Sequence, residues 1–292
     1  MADKWNDNKP ALTNTIAADI PDIEENFGWI QQVLKMLIGW KTGTIATVSP
    51  PGPQRSKFIN STADTHITAE PGVYFHDGTT RQTVFWDTDL VFECGSGGTN
   101  ALSEDLGASE WHYLYLDDSA IVTLDTNELD NTCLVNNTTA PTWSDVKHGW
   151  YNGSDRCIFA FYSDSNSDIL EFFHDGGDLV VYADSIEALA ATDIDDTWTD
   201  VTLSIPGFST RAEVLFMPSV TTSNASVLYW RTNGQTGSSG HIAGYVSASA
   251  TRSYVVSDVF TDSSQKIEVK HDASNDNQSA INLEGWYFPT GI

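Results

Sequence analysis

Carboxylates are the side chains best placed to do chemistry in this chain: 40 Asp and Glu against 14 Lys and Arg in 292 residues. Glycoside hydrolysis needs two of them about 5 to 10 Å apart across a sugar. No pair stands out from the acidic background, and no fixed repeat suggests the long β-helix of a glycan depolymerase. A nucleophilic serine would call for a Gly-x-Ser-x-Gly elbow, which is absent. His66, His76, His112, His148, His174, His241 and His271 are scattered, with no His-x-x-x-His pair for a catalytic zinc. They read as surface or hairpin residues, and His174-Asp175-Gly176-Gly177 reads as a hairpin turn. Cys94, Cys133 and Cys157 are odd in number and widely spaced, so buried or half-buried free thiols are expected. Asp164-Ser165-Asn166-Ser167-Asp168 and Asp193-Ile194-Asp195-Asp196 alternate oxygen ligands, yet lack the glycine and distal Glu of an EF-hand loop. They read as solvated turns. The expectation is a non-enzyme with no metal and no cofactor.

The aromatics offer a different chemistry. Ten tryptophans are many for this length. A flat aromatic face stacks on the apolar side of a pyranose, while Asp, Asn and Arg fix its hydroxyls. Tyr229-Trp230-Arg231 and Trp286-Tyr287, near the C-terminal end, are therefore candidate receptor contacts. Alternate residues of a strand point inward, so Trp230 and Trp286 equally suit a core.

Charge narrows the partners. A formal net charge of −26 argues against nucleic-acid binding and repels anionic membranes. No apolar run approaches the length that spans a bilayer, and no basic-then-apolar leader opens the sequence. Neither membrane insertion nor a secretory signal is expected.

The elements that would position these groups change type once. Ile16, Ile20, Ile23, Phe27, Ile30, Leu34 and Leu37 recur at alternating steps of four and three, the spacing of a coiled-coil seam. Asp19 suits the N-cap, Pro21 the first turn, and Asp22, Glu24 and Glu25 the positive end of the helix dipole. Gly39 and Gly43 suit its end. So short a helix needs partners, and copies of itself are the simplest. Ile-rich seam positions lean toward three strands, so a homotrimer is expected. A single amphipathic helix packed on its own domain is the other reading. Before it lies a polar arm containing Trp5 and Pro10. Trp5 either anchors the arm on a neighbouring protein or packs back on the helix.

After residue 44 the pattern is β. Short strands run through residues 45–184, with Trp111-His112-Tyr113-Leu114-Tyr115-Leu116 the strongest by aromatic alternation and Ile121-Val122-Thr123-Leu124 among them. Ile186 to Ala191 reads as a helical turn. About seven more strands in 185–292, separated by turns such as Asn233-Gly234, predict a β-sandwich of jelly-roll type. The fold class is thus mainly β: an arm and helix (1–44), a β-rich middle domain (45–184) and a β-sandwich head (185–292).

Several stretches resemble phage tail-fibre and other virion-attached fibre or spike proteins. They are Trp111 to Leu116, Thr139-Ala140-Pro141-Thr142-Trp143, His148-Gly149-Trp150-Tyr151, Arg156-Cys157-Ile158, and Phe172 to Tyr182 with its His-Asp-Gly-Gly turn. Leu283-Glu284-Gly285-Trp286-Tyr287 and the opening Ile20-Pro21-Asp22-Ile23-Glu24-Glu25-Asn26-Phe27 are also similar. The likeness spans about two thirds of the chain as architecture and scattered motifs, and it carries no catalytic motif. It implies a trimeric virion component, assembled in the host cytoplasm, docked on other virion proteins through its N-terminus and displaying its β head to a host surface glycan or protein. A head fibre or capsid decoration protein, a free carbohydrate-binding module and a glycan depolymerase are the alternatives.

Overall fold

The computed structural model of the protein describes residues 56–60, 65–220, 225–237, 240–247, 252–272, 278–289 and 292. The seam from Ile16 to Leu37 and the anchor residues Trp5 and Pro10 lie outside the described residues. What is described is mainly β, as expected.

The first five strands are β1 (Phe58–Asn60), β2 (His66–Ala69), β3 (Gly72–Asp77), β4 (Arg81–Trp86) and β5 (Leu90–Glu93). They form a sheet of order β1-β2-β5 and a separate β3–β4 hairpin. Next come β6 (Trp111–Leu116), β7 (Leu134–Asn137), β8 (Thr142–Ser144), β9 (Gly149–Asn152) and β10 (Asp155–Tyr162), in one antiparallel sheet of order β7-β6-β10-β9-β8. Both β6 and β10 are buried on both faces along most of their length, which explains their near-continuous apolar runs.

Ile121 to Leu124 is not a strand: Ile121 ends a single helical turn, α1 (Asp118–Ile121), and Val122 and Thr123 form a turn after it. Asp117 causes it: its carboxylate caps the backbone N–H groups of Ser119 (2.9 Å) and Ala120 (3.4 Å). Local capping outweighs the β-branched residues that follow.

The remaining strands are β11 (Phe172–His174), β12 (Leu179–Asp193), β13 (Thr199–Thr202), β14 (Arg211–Met217), β15 (Ser226–Thr232), β16 (His241–Val246), β17 (Val255–Phe260), β18 (Lys266–His271) and β19 (Gln278–Tyr287). They make a five-stranded sheet, β11-β12-β19-β14-β17, and a four-stranded sheet, β13-β18-β15-β16. All pairings are antiparallel. The inward side chains of β14 (Ala212, Val214, Phe216) and β15 (Ser226, Leu228, Trp230) alternate with less buried ones. Phe216 stacks on Trp230 with ring centroids 6.4 Å apart, which brings the two sheets face to face.

Ile186 to Ala191 is not a helical turn. It lies within β12, a strand of 15 residues paired to β19 through three register shifts. Pairing with a long neighbour overrides the local Ala-rich preference. The boundary expected between residues 184 and 185 falls inside this strand. One hydrophobic cluster runs from Phe58 and Ile67 through Phe159 to Trp286 and Phe288. Trp286 is its pivot, at 6.0 Å from Trp111, 5.9 Å from Phe208, 4.6 Å from Phe288 and 6.3 Å from Phe159. The five-stranded sheet therefore covers the β15 sheet with one part of its inner face and the β10 sheet with the other.

Candidate functional site

Strand alternation divides the five expected receptor residues. Trp230 is 5% exposed and Trp286 is fully buried, so both serve the core and neither presents its ring on an outer face. Tyr229 and Arg231 flank Trp230 on the outer face of the four-stranded sheet, half-buried. Tyr287 lies on the outer face of the other sheet.

The outer face of the four-stranded sheet is built row by row. Lys270 of β18 pairs with Tyr229 of β15, and Tyr229 pairs with Ile242 of β16. Trp198, just before β13, continues that row, because the next residue, Thr199, pairs with Val269. In the adjoining row, Asp200, Glu268 and Arg231 lie side by side. Trp198 is held by cations: the Arg231 guanidinium carbon is 4.1 Å and the Lys270 Nζ 5.0 Å from its ring centroid. Arg231 Nε donates to Glu268 (2.8 Å) and Nη1 to the Gly237 carbonyl (2.7 Å). The close fit needs Gly240: a Cβ there would lie 2.6 Å from both Trp198 Cη2 and the Trp230 carbonyl oxygen. Ile242 and Tyr245, 67% and 56% exposed, extend the face to its edge.

The outer face of the five-stranded sheet is acidic. The Arg211 guanidinium carbon sits 4.0 Å from the Tyr287 ring centroid, and the Tyr287 hydroxyl donates to Asp258 (2.6 Å). Arg211 also pairs with Asp258. Burial, then the bond to Asp258, pushes the Tyr287 phenol up to about 12. Burial opposes ionisation of Asp258, but Tyr287 and Arg211 outweigh it and hold its carboxyl low. Burial and then the charge of Asp258 raise Glu213, while burial and then Glu213 raise Glu284. Beyond them a groove of about 480 Å³ opens beside β11, lined among others by Lys57, Phe172, Phe173, Leu179 and Val181.

No family model matches the chain, and no curated protein matches it.

Four histidines expected at surface or hairpin positions are buried. His76, His112, His174 and His271 are each at most 5% exposed. His76 Nε2 donates to Asp118 (2.9 Å), whose two oxygens also accept from the Thr79 N–H (3.0 and 3.1 Å). Asp118 N–H in turn donates to Asp155 (2.8 Å). Burial lowers His76 despite Asp118 and raises Asp155. His76 Nδ1 is buried with no hydrogen-bond partner among the described residues, so none of their hydroxyls or thiols meets it as a nucleophile would. The loop closes on Asp118 only because residue 78 is glycine; a Cβ there would lie 1.9 Å from Asp118 Oδ1. This cluster ties the β3–β4 hairpin to α1 and β10. His174 does precede the Asp175–Gly177 turn, but its ring faces inward, accepting from Phe58 N–H (3.0 Å) and donating to the Gly177 carbonyl (3.0 Å).

The three cysteines are buried free thiols. Asp164 accepts from the N–H groups of Asn166 and Asp168 at 2.7 and 3.0 Å, a closed turn. Among the described residues no three His, Cys, Asp or Glu side chains converge as a metal site requires.

Two residues of the aromatic–basic face were not picked out in the sequence. Lys270 had a signal: Lys266, Glu268 and Lys270 alternate with Ile267 and Val269, so the charged set shares one outward face. Trp198 had none, because it lies outside any strand and meets Arg231 only through the fold.

Proposed function

We propose that the chain is a non-enzymatic, homotrimeric fibre or spike protein of a virus particle. It attaches to other virion proteins through its N-terminal arm and binds a host surface glycan or protein through its β head. The observation that carries the receptor part is the outer face of the four-stranded sheet, where Trp198, Tyr229, Arg231 and Lys270 form one flat aromatic–basic surface. Flat sheet faces with aromatic rings and fixed hydrogen-bonding side chains suit extended polar ligands. The virion part is supported by the sequence resemblance, and the trimer by the seam from Ile16 to Leu37. Three modest sites on one stalk would gain strength through effective concentration.

Two measurements test this. Antibodies to the chain should label a protruding appendage on intact particles; label spread over the capsid favours the decoration-protein reading, and absence of label on particles sinks the virion role. The purified chain should block particle adsorption to host cells, and a Tyr229→Ala, Arg231→Glu variant should not. If that variant blocks as well as the parent, the receptor lies elsewhere.

A further inference from the structure

We infer that this aromatic–basic face takes a carboxylated sugar, as found in uronate- or sialate-bearing polysaccharides, with Lys270 meeting the carboxylate. This rests on the reading of the face as the receptor surface and names its ligand class.

The chain carries a net charge of −26, so an anion needs a local reason to settle on it. The face supplies one. Three basic side chains project from two neighbouring strands, and two of them are neutralised at once. Lys266 pairs with Asp200 at 3.1 Å, and Arg231 with Glu268 at 2.8 Å. Lys270 forms no ion pair among the described residues; the Trp198 ring is its partner. A cation–π contact orients an ammonium group without cancelling its charge, and its N–H donors stay available. Arg231 adds a second donor. Its Nε and Nη1 are engaged by Glu268 and Gly237, its plane lies over Trp198, and its Nη2 makes no hydrogen bond within the described residues. A guanidinium fixed on two sides loses little freedom when an anion arrives.

The neighbours account for a sugar rather than a bare anion. The row Trp198, Lys270, Tyr229, Ile242 crosses four strands, about 14 Å at one interstrand spacing per step. Tyr229 and the exposed Ile242 give the apolar platform on which the C–H face of a pyranose rests, and the Tyr229 hydroxyl is a donor and acceptor beside it. A neutral glycan would use the platform and leave Lys270 without a counter-charge. A nucleic acid would require a run of cations that this face lacks.

The test is calorimetric titration of the full chain with oligogalacturonate and oligosialate, and with a neutral galactose oligomer of equal length. At least one acidic oligomer should bind about tenfold tighter than the neutral one, with affinity falling several-fold between about 50 and 300 mM salt. Lys270→Ala should cost about tenfold, Lys270→Arg should keep most of the affinity, and Lys266→Ala should change little because that ammonium is already paired. Failure of both acidic oligomers to bind, or unchanged affinity in Lys270→Ala, overturns the inference. Equal binding of the neutral oligomer, abolished by Tyr229→Ala, overturns the acidic class while leaving the receptor face standing. Unimpaired blocking of host adsorption by the Tyr229→Ala, Arg231→Glu variant removes the receptor face itself.

Discussion

The outer faces of the two C-terminal sheets use the same residue types with opposite results. Each has an arginine stacked on an aromatic ring and tied to a carboxylate: Arg231 on Trp198 with Glu268, and Arg211 on Tyr287 with Asp258. What differs is the charge left over. On the four-stranded sheet the surplus is a cation, Lys270. On the five-stranded sheet it is a pair of carboxyls, Glu213 and Glu284, raised first by burial and then by a neighbouring carboxylate, Asp258 for Glu213 and Glu213 for Glu284. Formal net charge therefore describes the chain poorly at the scale of a ligand. Among the described residues this sheet face gathers Arg231, Lys266 and Lys270, and Lys270 is the cation left without an ion pair.

The comparison presumes that both faces belong to one cooperative body, and the largest effect tests that. Trp286→Ala should cost about 3 to 5 kcal/mol, because it empties the aromatic cluster under both sheets. Calorimetry should show one transition moving down as a unit; two transitions, only one of them shifted, would make the faces parts of separate domains.

His271 gives the next largest effect. It lies on β18, donates from Nδ1 to Ser226 of its own sheet (2.7 Å) and accepts at Nε2 from Ser279 of the other (2.9 Å). The Ser226 hydroxyl donates its own hydrogen bond to Asp272 (2.8 Å), which fixes this direction. Burial lowers the imidazole from 6.5 to about 4. The unfolded chain thus binds the proton more readily. Stability contributed by this residue is complete above the unfolded value of 6.5 and is lost as pH falls toward 4, by on the order of 3 kcal/mol. His76 and His112 are lowered in the same direction by burial. Denaturant titrations between pH 7 and pH 4 should show this slope, and His271→Gln should flatten it. A flat profile in the parent would mean the sheets are not joined through a neutral imidazole.

Smaller effects separate the faces themselves. Glu284→Gln should stabilise slightly at pH 7, where burial and Glu213 disfavour the carboxylate, and the gain should shrink as pH falls and the carboxyl takes up its proton. Asp258→Asn should bring the Tyr287 phenol down from about 12 toward its ordinary value of 10, read by ultraviolet titration. Neither change should alter ligand affinity at the Lys270 face, since they act across the sandwich.

Much of the fold was legible because its strands alternate. Trp111 to Leu116 and Leu90 to Glu93 coincide with strands, and the strands β13 to β19 overlap the seven expected in the C-terminal part. What failed was local. A capping aspartate turned Asp118 to Ile121 into a helix, and a long partner strand straightened Ile186 to Ala191. The candidate site was half legible: the triplet Tyr229-Trp230-Arg231 lies on a strand of the proposed face, and alternation sends its middle residue inward. Trp198 and Lys270 are brought to Arg231 by sheet order, which residue spacing does not encode. The buried histidines escaped for a related reason, since each depends on partners distant in sequence, as His76 does on Asp118.

The position of β19 in its sheet has a consequence for how the molecule is made. It is the last described strand in sequence, yet it lies between β12 and β14 and carries Trp286 into the shared core. During synthesis β12 and β14 emerge with an unfilled gap between them, and their inner apolar faces stay exposed until some 60 further residues have followed β14. Premature termination before Gln278 would leave two half-sheets with open edges, a form suited to aggregation and to removal by proteases. Emergence of β19 and closure of the core are thus one event, so products truncated before that strand should not accumulate.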